Sequence, residues 1–151
     1  MRHLGGKPSS PTESWARLLR YACLWPLLGY GYWAVARRED GAYLGDAGIA
    51  DWRRDLTPAL DGAPEAGWML RADAHGQGFA TEAMQAVLAW VDRHLPGTAT
   101  ACIVDPEHAA SLRVAAKLGD RETARSTVRG APVEQLRRAA AAAPAPFTSS
   151  A

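Results

Sequence analysis

Two glycines set between an apolar, strand-like segment and a long amphipathic helix constrain the fold of this chain more than any other feature. Residues 65–71 have the composition of a strand and lead directly into His75-Gly76-Gln77-Gly78. After Ala80, one apolar face recurs at helical spacing, formed by Met84, Val87, Leu88, Val91 and Leu95. The spacing predicts a strand, a glycine loop and a helix in succession, as in an α/β sheet.

The glycine loop lies where a helix begins, and this position has a chemical consequence. The first N–H groups of a helix have no intrahelical acceptor and carry the positive end of the helix dipole, which suits a phosphate or pyrophosphate. Gly76 and Gly78 also let a ligand approach the backbone closely. A plain loop-to-helix turn uses the same residues, so the local pattern alone leaves both interpretations open. The segment matches neither Gly-x-Gly-x-x-Gly nor the phosphate loop that ends in Gly-Lys-Ser/Thr.

The remaining elements are expected in a fixed order along the chain. Ser10, Pro11 and Glu13 form a helix-start signature, for a helix that turns Trp15, Leu18, Leu19 and Ala22 inward and stops near Pro26. The other expected elements are a strand at 30–37, a hairpin turn at 38–41, a strand to about 50, a mobile loop at 51–64, a strand at 98–104, a helix from Asp105-Pro106 to Gly119, and two short strands within 121–137.

Composition limits the classes of function. The 151 residues form one domain, with 48% hydrophobic and 22% charged residues and a formal net charge of +1, so bulk charge does not favour nucleic-acid binding. No apolar run resembles a signal peptide or a membrane span, and we expect a cytoplasmic protein without a membrane partner. Cys23 and Cys102 lack metal-ligand spacing, so no metal site is predicted, and both are expected in the core.

Several motifs in one order resemble the GNAT acetyltransferase superfamily. The loop resembles its acyl-CoA signature Arg/Gln-x-x-Gly-x-Gly/Ala, with His75, Gly78 and Ala80 at the first, fourth and sixth positions. Further similar segments are Gly29–Val35, Gly45–Gly48, Glu65–Leu70 and Ala109–Gly119. The chain looks most like the branch related to the ribosomal-protein N-terminal acetyltransferases. The similarity runs from about residue 2 to 138, which indicates a domain at 1–138 and a disordered Ala/Pro-rich tail at 139–151.

The resemblance implies a type of fold and the absence of an N-terminal strand and helix. It implies a mixed, mostly antiparallel α/β sheet with helices on both faces. Family members begin with a strand and a helix ahead of the segment that starts here at Met1, so the chain looks N-terminally truncated. Strand 30–37 would then be a sheet edge rich in Tyr30, Tyr32 and Trp33, and such an edge invites pairing with another chain.

The resemblance also implies acetyl-CoA as cosubstrate. Loop 75–81 would hold the pyrophosphate through backbone N–H groups, and strand 65–71 would pair with the pantetheine arm. The donor-binding residues are accordingly predicted as Leu70, His75, Gly76, Gln77, Gly78, Phe79, Ala80, Thr81, His108 and Lys117. His108 stands where relatives usually have Asn, and it can donate or accept a hydrogen bond. Surface charge explains Lys117 equally well.

Two residues are candidates for catalysis. Ser111 matches the serine that lies beside the thioester sulfur in this branch, where its hydroxyl would donate to the leaving thiolate. A helix serine bonded to its own backbone is the alternative. Glu65 is placed to accept the amine proton, directly or through water, against the alternative of a solvated Glu at a strand end.

Asp120 departs from the family, which usually has an aromatic residue there. Because burial of an unpaired Asp is costly, the local geometry is expected to differ.

These residues together predict an N-acetyltransferase that moves an acetyl group from acetyl-CoA to an amine by direct attack. The acceptor, a protein N-terminus or a small amine, is left open, as is the choice between a monomer and a homodimer. The alternatives are a catalytically inactive acyl-CoA-binding module and a truncated fragment that needs a partner.

Overall fold

A computed structural model describes residues 9–142. Its elements are α1 (Pro11–Leu28), β1 (Tyr32–Ala36), β2 (Tyr43–Ala50), β3 (Glu65–Leu70), a short 3-10 turn (Ala72–Ala74), α2 (Phe79–His94), β4 (Thr100–Val104), α3 (Ala109–Leu118), β5 (Arg121–Val128) and β6 (Ala131–Arg138). The predicted order of elements is confirmed. Of the predicted tail, residues 139–142 belong to no helix or strand, and 143–151 lie outside the described residues.

The strands form one six-stranded sheet in the order β1-β2-β3-β4-β6-β5. Every pair of neighbours is antiparallel except β3 and β4, which run parallel. The prediction of a mixed, mostly antiparallel sheet is confirmed. The parallel pair at the centre follows from the connection through α2, because two strands joined by a crossover helix return in the same direction.

One face of the sheet carries the main core and two of the helices. The predicted apolar face of α2 lies here, with Met84, Val87 and Val91 buried. They pack with Ala115 of α3 and with the strand residues Ala47, Ile49, Ala66, Cys102, Val104 and Leu136. On the other face, Tyr21 of α1 stacks on Tyr32 of β1, with ring centroids 4.5 Å apart. Both faces therefore have helical contacts, as predicted, although Trp25 of α1 also contacts Trp90 of α2 around the β1 edge.

The start of α1 follows the prediction and its end does not. Ser10 accepts from the Glu13 backbone N–H, Glu13 caps the Ser10 backbone in return, and Pro11 occupies the first turn. The helix continues through Pro26, and Gly29 ends it in the left-handed conformation at φ 75°. A proline this close to the C-terminal end removes one ladder hydrogen bond without breaking the helix.

The side of α1 that faces the sheet was predicted wrongly. Trp15, Leu18 and Leu19 are 60%, 55% and 48% exposed. The contacts come instead from a second apolar stripe that contains Tyr21, Leu24 and Trp25. The aromatic residues of this stripe lie against the rings of β1, and Trp25 contacts Trp33 edge-to-face at 4.7 Å. Because both stripes have helical spacing, periodicity alone does not choose between them.

Strand β1 is an edge of the sheet, as predicted, and α1 covers part of it. The indole Nε1 of Trp25 donates to the Tyr32 carbonyl at 3.3 Å. The Ile49 N–H donates to the Gly31 carbonyl across the β1–β2 pair. Because the backbone groups of successive strand residues point to opposite sides of the strand, the Tyr32 carbonyl points away from β2. Trp25 thus satisfies an edge carbonyl that would otherwise be open to another strand.

The segment predicted as a mobile loop, 51–64, is fixed to the sheet. Gln135 of β6 donates through its side-chain amide to the Pro58 carbonyl at 2.8 Å, and Arg137 donates to the Leu60 carbonyl at 2.6 Å. Leu56, within the segment, is buried. Gln135 and Arg137 of β6 therefore have hydrogen-bond partners in this loop.

The two cysteines differ in burial. Cys102 is in the core as predicted, whereas the prediction for Cys23 is wrong, because it lies on the exposed side of α1. Among residues 9–142, no helix is both long enough and apolar enough to cross a membrane.

Asp120 is buried despite its charge. It is 8% exposed, and its Oδ1 has no hydrogen-bond partner in the structure. The local geometry, which was expected to differ from the family's, does not keep Asp120 out of the core: Gly119 ends α3, and the Asp120 N–H donates back to the Ala115 carbonyl, which directs the side chain inward. Burial raises the pKa of Asp120 to about 6, and the charge of Arg138 opposes that rise.

The burial of Asp120 predicts a pH-dependent stability. The pKa of its carboxyl is higher in the folded than in the unfolded chain, so the stability that its neutral form provides is present at acidic pH and is lost as pH rises through about 6. Asp120→Asn removes the ionisation. We expect this variant to be more stable than the wild type at pH 8, by up to about 3 kcal/mol, with the gain vanishing near pH 4. Urea unfolding at both pH values measures the difference, and an equal difference at the two pH values would contradict this account.

Candidate functional site

The centre of the sheet contains a gap between β3 and β4. The two strands register at one position, Glu65 opposite Ala101, where the Ala101 N–H donates to the Pro64 carbonyl at 3.0 Å. Beyond that pair, β4 continues its pairing with β6 through Val104, while β3 continues to Leu70 along β2. On the side facing β4, the rest of β3 therefore lies along a wedge that narrows to Glu65.

The register identifies the backbone groups that face this wedge. Arg71 donates to the Leu44 carbonyl at 2.8 Å, so the odd-numbered residues of β3 turn their backbone groups toward β2. The alternate residues, Trp68 and Leu70, turn theirs toward β4. An extended ligand that contains amides can pair with such groups as an added strand does.

The glycine loop lies at the wide end of the wedge and leads into α2. Gly76 and Gly78 have φ values of 74° and 84°, in the left-handed region that glycine adopts without strain. Gly78 is the N-cap of α2 and has no side chain to cap the helix. The ladder begins with the Glu82 N–H donating to the Gly78 carbonyl at 3.0 Å, which leaves the N–H groups of residues 79–81 without an intrahelical acceptor.

The other two α-helices of the described chain do have side-chain caps. Ser10 caps α1, and Nδ1 of His108 accepts from the Ser111 N–H at the start of α3. Among these helices, α2 alone begins without a side-chain cap. This difference favours an anion site over a plain loop-to-helix turn.

Side chains of the loop tie it to β3. The Gln77 amide donates to the Asp73 carbonyl at 2.7 Å. His75 Nε2 lies 2.9 Å from the Leu70 carbonyl, which assigns a proton to Nε2 because a carbonyl only accepts. His75 therefore anchors the loop to the end of β3, and its ring contacts the strand rather than extending freely over the loop.

The predicted residues of α3 lie at two ends of that helix. Because β3 and β4 are parallel and each precedes a helix, the starts of α2 and α3 flank the wedge at the same edge of the sheet. His108 and Ser111 lie at this end. Ser111 is half-buried, and its backbone N–H makes the capping bond, so the cap does not use its hydroxyl. Lys117 is exposed in the last turn, about 9 Å along the helix axis from Ser111.

Glu65 is not a solvated strand-end residue. Its side chain is 8% exposed and forms a two-pronged ion pair with Arg54, at 2.7 Å from Nε and 2.9 Å from Nη2. This hydrogen bonding raises the pKa of Arg54. Sequence reasoning missed Arg54, because it lies in loop 51–64, where no periodic pattern indicates which side chains turn inward.

Two cavities lie at this loop. One, of about 360 Å³, is lined by residues of loop 51–64 and by Glu65. The other, of about 370 Å³, is more open and lies between Asp55 and β5, beside Arg125 and Ser126. In the described part of the chain, no group of three or more His, Cys, Asp or Glu residues is arranged to hold a metal ion.

Tyr32 crosses from β1 toward this region on the face of the sheet opposite α2. Its ring lies against Gly48 and its hydroxyl against Gly67, where a Cβ on either glycine would collide with it. Burial raises the pKa of Tyr32 above its usual range. The sequence signal for this contact was a glycine in each of two strands, which marks a close approach.

Residues 1–121 match the family model described as the acetyltransferase (GNAT) domain. A curated relative, the uncharacterized protein YkkB of Bacillus subtilis strain 168, is 31% identical over 93 residues. That alignment covers 60% of this chain and 52% of the relative, so the chain matches about half the length of that protein.

Solved structures share the fold. A protein of Bordetella pertussis described as a GnaT-family acetyltransferase is 31% identical, with a TM-score of 0.80 over 87% of this chain and 78% of its own. The ribosomal-protein-S5-alanine acetyltransferase of Vibrio fischeri is 18% identical, with a TM-score of 0.69 over 89% and 76%. The yncA protein of Salmonella typhimurium, solved with acetyl-CoA, is 22% identical, with a TM-score of 0.67 over 88% and 77%.

Alanine substitutions at two glycines are expected to have different costs. In Gly78→Ala the new Cβ meets no atom within 4 Å, so only the positive φ costs free energy, about 1–2 kcal/mol. In Gly67→Ala the Cβ collides with the Tyr32 hydroxyl, which a half-buried ring stacked on Tyr21 cannot avoid without repacking, and we expect about 2–3 kcal/mol. Urea unfolding of both variants measures the costs. A larger loss for Gly78→Ala than for Gly67→Ala would refute this assignment.

Proposed function

This chain belongs to the acetyltransferase (GNAT) family, and from that membership we propose that it transfers an acetyl group from acetyl-CoA to an amine. The observation that carries the proposal is the wedge between β3 and β4, with the uncapped start of α2 at its wide end. This arrangement offers amide groups along an extended path and free donors at the end of that path. Acetyl-CoA has the matching parts, an amide-bearing arm and a pyrophosphate.

Donor binding rests mainly on backbone groups. Residues 76–81 direct N–H groups and the positive end of the helix dipole toward the pyrophosphate. Trp68 and the Leu70 N–H pair with the amides of the arm, while the Leu70 carbonyl accepts from His75, which keeps the loop at the end of β3. The acetyl-CoA bound to the Salmonella typhimurium neighbour supports this choice of donor. His108 and Lys117 stay predicted contacts to acetyl-CoA. Because Lys117 lies at the far end of α3, it is the less favoured candidate of the two.

The transfer itself needs two proton-handling groups. The neutral amine attacks the thioester carbonyl carbon, the new N–C bond forms, and the C–S bond breaks without a covalent enzyme intermediate. Ser111, at the start of α3, donates its hydroxyl hydrogen bond to the departing thiolate. Glu65, at the narrow end of the wedge, accepts the proton that the amine releases, directly or through water.

The alternative function is acyl-CoA binding without transfer. The observation that favours it is the Arg54–Glu65 ion pair, which engages both carboxylate oxygens of the proposed base. In either case the acceptor class, a protein N-terminus or a small amine, is a proposal. The cytoplasmic location and the monomeric or homodimeric state stay predictions.

Calorimetric titration with acetyl-CoA, followed by a thiol-release assay over a panel of amines, tests the function. We expect one acetyl-CoA per chain, and thiol release that depends on an amine. Absence of binding would overturn the proposal. Binding without thiol release for any amine would favour the alternative of an inactive binding module.

Substitution of Ser111 tests its proposed role. In Ser111→Ala the thiolate loses a hydrogen-bond donor, so we expect kcat to fall about 10- to 100-fold while the Kd for acetyl-CoA changes less than about twofold. Ser14→Ala, a helix serine on α1 outside the wedge, serves as the matched control and should keep full activity. Full turnover by Ser111→Ala would exclude this residue as the donor to the thiolate.

A further inference from the structure

The cavity of about 360 Å³ beside Glu65 points to the class of acceptor. We propose that this cavity binds the acceptor and that the acceptor carries a carboxylate close to its amine, as a free α-amino acid does. The inference rests on the proposed acetyl transfer and goes beyond it, because the family resemblance leaves the acceptor open.

The position of the cavity suits a second substrate. Glu65 lines the cavity and is also the β3 residue at which the wedge closes against Ala101. Ala66 belongs to the core under α2, so its neighbour Glu65 points to the opposite face of the sheet. A donor that enters the wedge from the α2 end and an acceptor in the cavity would therefore meet at Glu65.

The charges around the cavity are balanced in pairs. Asp51 pairs with Arg53 at 2.7 Å, Glu65 pairs with Arg54 at 2.7 Å, and Asp61 lies 3.4 Å from Arg137. Every acidic side chain in the lining thus has an arginine partner. Counted together with Arg137, which lies outside the lining, the three carboxylates and three arginines leave no excess charge for a polycationic or polyanionic acceptor, whereas a zwitterion can exchange with an existing pair.

The Arg54–Glu65 pair is the one placed for that exchange. Arg54 is 34% exposed and Glu65 only 8%, so a ligand reaches the guanidinium first. A ligand carboxylate can take the two-pronged bond from Arg54, because the guanidinium fork fits any carboxylate. Glu65 then has oxygens available for the ligand's amine, and it accepts the proton released as the N–C bond forms. Binding of the carboxylate and activation of the amine are coupled in this way.

The size of the cavity sets a further limit. A volume of about 360 Å³ is at the small end of ligand sites, and it matches an amino acid rather than a folded partner. The N-terminal residue of a protein has its α-carboxyl group in a peptide bond and lacks the carboxylate that Arg54 would hold. The observations therefore favour a free amino acid, and peptide acceptors become an outcome of the test.

The test compares L-amino acids with their matching amides as acceptors for the wild-type protein, by thiol release at saturating acetyl-CoA. We expect kcat/KM to be about tenfold or more higher for the acids, the usual size of one charge-assisted two-pronged contact. The amide of an amino acid has the lower amine pKa and so has more neutral amine at a given pH. A preference for the acid consequently cannot come from amine reactivity.

Variants of Arg54 separate recognition from folding. Arg54→Lys keeps the positive charge beside Glu65 but loses the planar fork, so KM should rise about tenfold more for the acids than for the amides, while the Kd for acetyl-CoA stays within about twofold. Arg38→Lys, in the exposed β1–β2 turn, is the matched control and should change none of these values.

Equal use of acids and amides, or preferred use of peptides with a free N-terminus, would overturn the acceptor proposal and leave the acetyl-transfer proposal standing. Equal effects of Arg54→Lys on acids and amides would also overturn it. Failure to bind acetyl-CoA at all would remove both proposals together.

Discussion

The site depends on how little of strand β3 is paired with strand β4. Strand β4 pairs with β3 at a single position, Glu65 opposite Ala101, while its other edge pairs with β6 along Thr100–Val104. A sheet that pairs fully has no room for a ligand between its strands. This one separates at its centre, and the separation exposes backbone donors and acceptors of β3 that an extended amide-bearing molecule can satisfy.

The surrounding elements place potential binding groups at both ends of that separation. The parallel direction of β3 and β4 brings the starts of α2 and α3 to one edge of the sheet, so the N–H groups of residues 79–81 and the first turn of α3, which contains Ser111, lie at the same edge. At the narrow end, loop 51–64 is held by Gln135 and Arg137, and it places Arg54 against Glu65. Donor and acceptor sites can therefore be built on opposite faces and share a single carboxylate.

Much of this was predictable from local sequence signals. The capping signature at Ser10, the face of α2 and the glycines before it depend on residues close together in the chain, and the structure has each of them as expected. The inward face of α1 was not predictable, because Tyr21 and Trp25 compete with an equally periodic stripe and only contact with β1 decides between them. The contacts of loop 51–64 join residues 77 positions apart, beyond any local pattern. The burial of Asp120 follows from the end of α3 rather than from its own polarity.

The most direct test of the account is a backbone amide NMR titration of the ¹⁵N-labelled protein with coenzyme A, which reports each N–H separately. If the wedge and the start of α2 form the donor site, the largest shifts will fall on residues 76–81 and on Trp68 and Leu70, with small changes in β5 and in the hairpin turn at 38–41. Shifts concentrated in loop 51–64, with the amides of residues 76–81 unchanged, would contradict the central claim that the separated strands and the uncapped helix bind the donor.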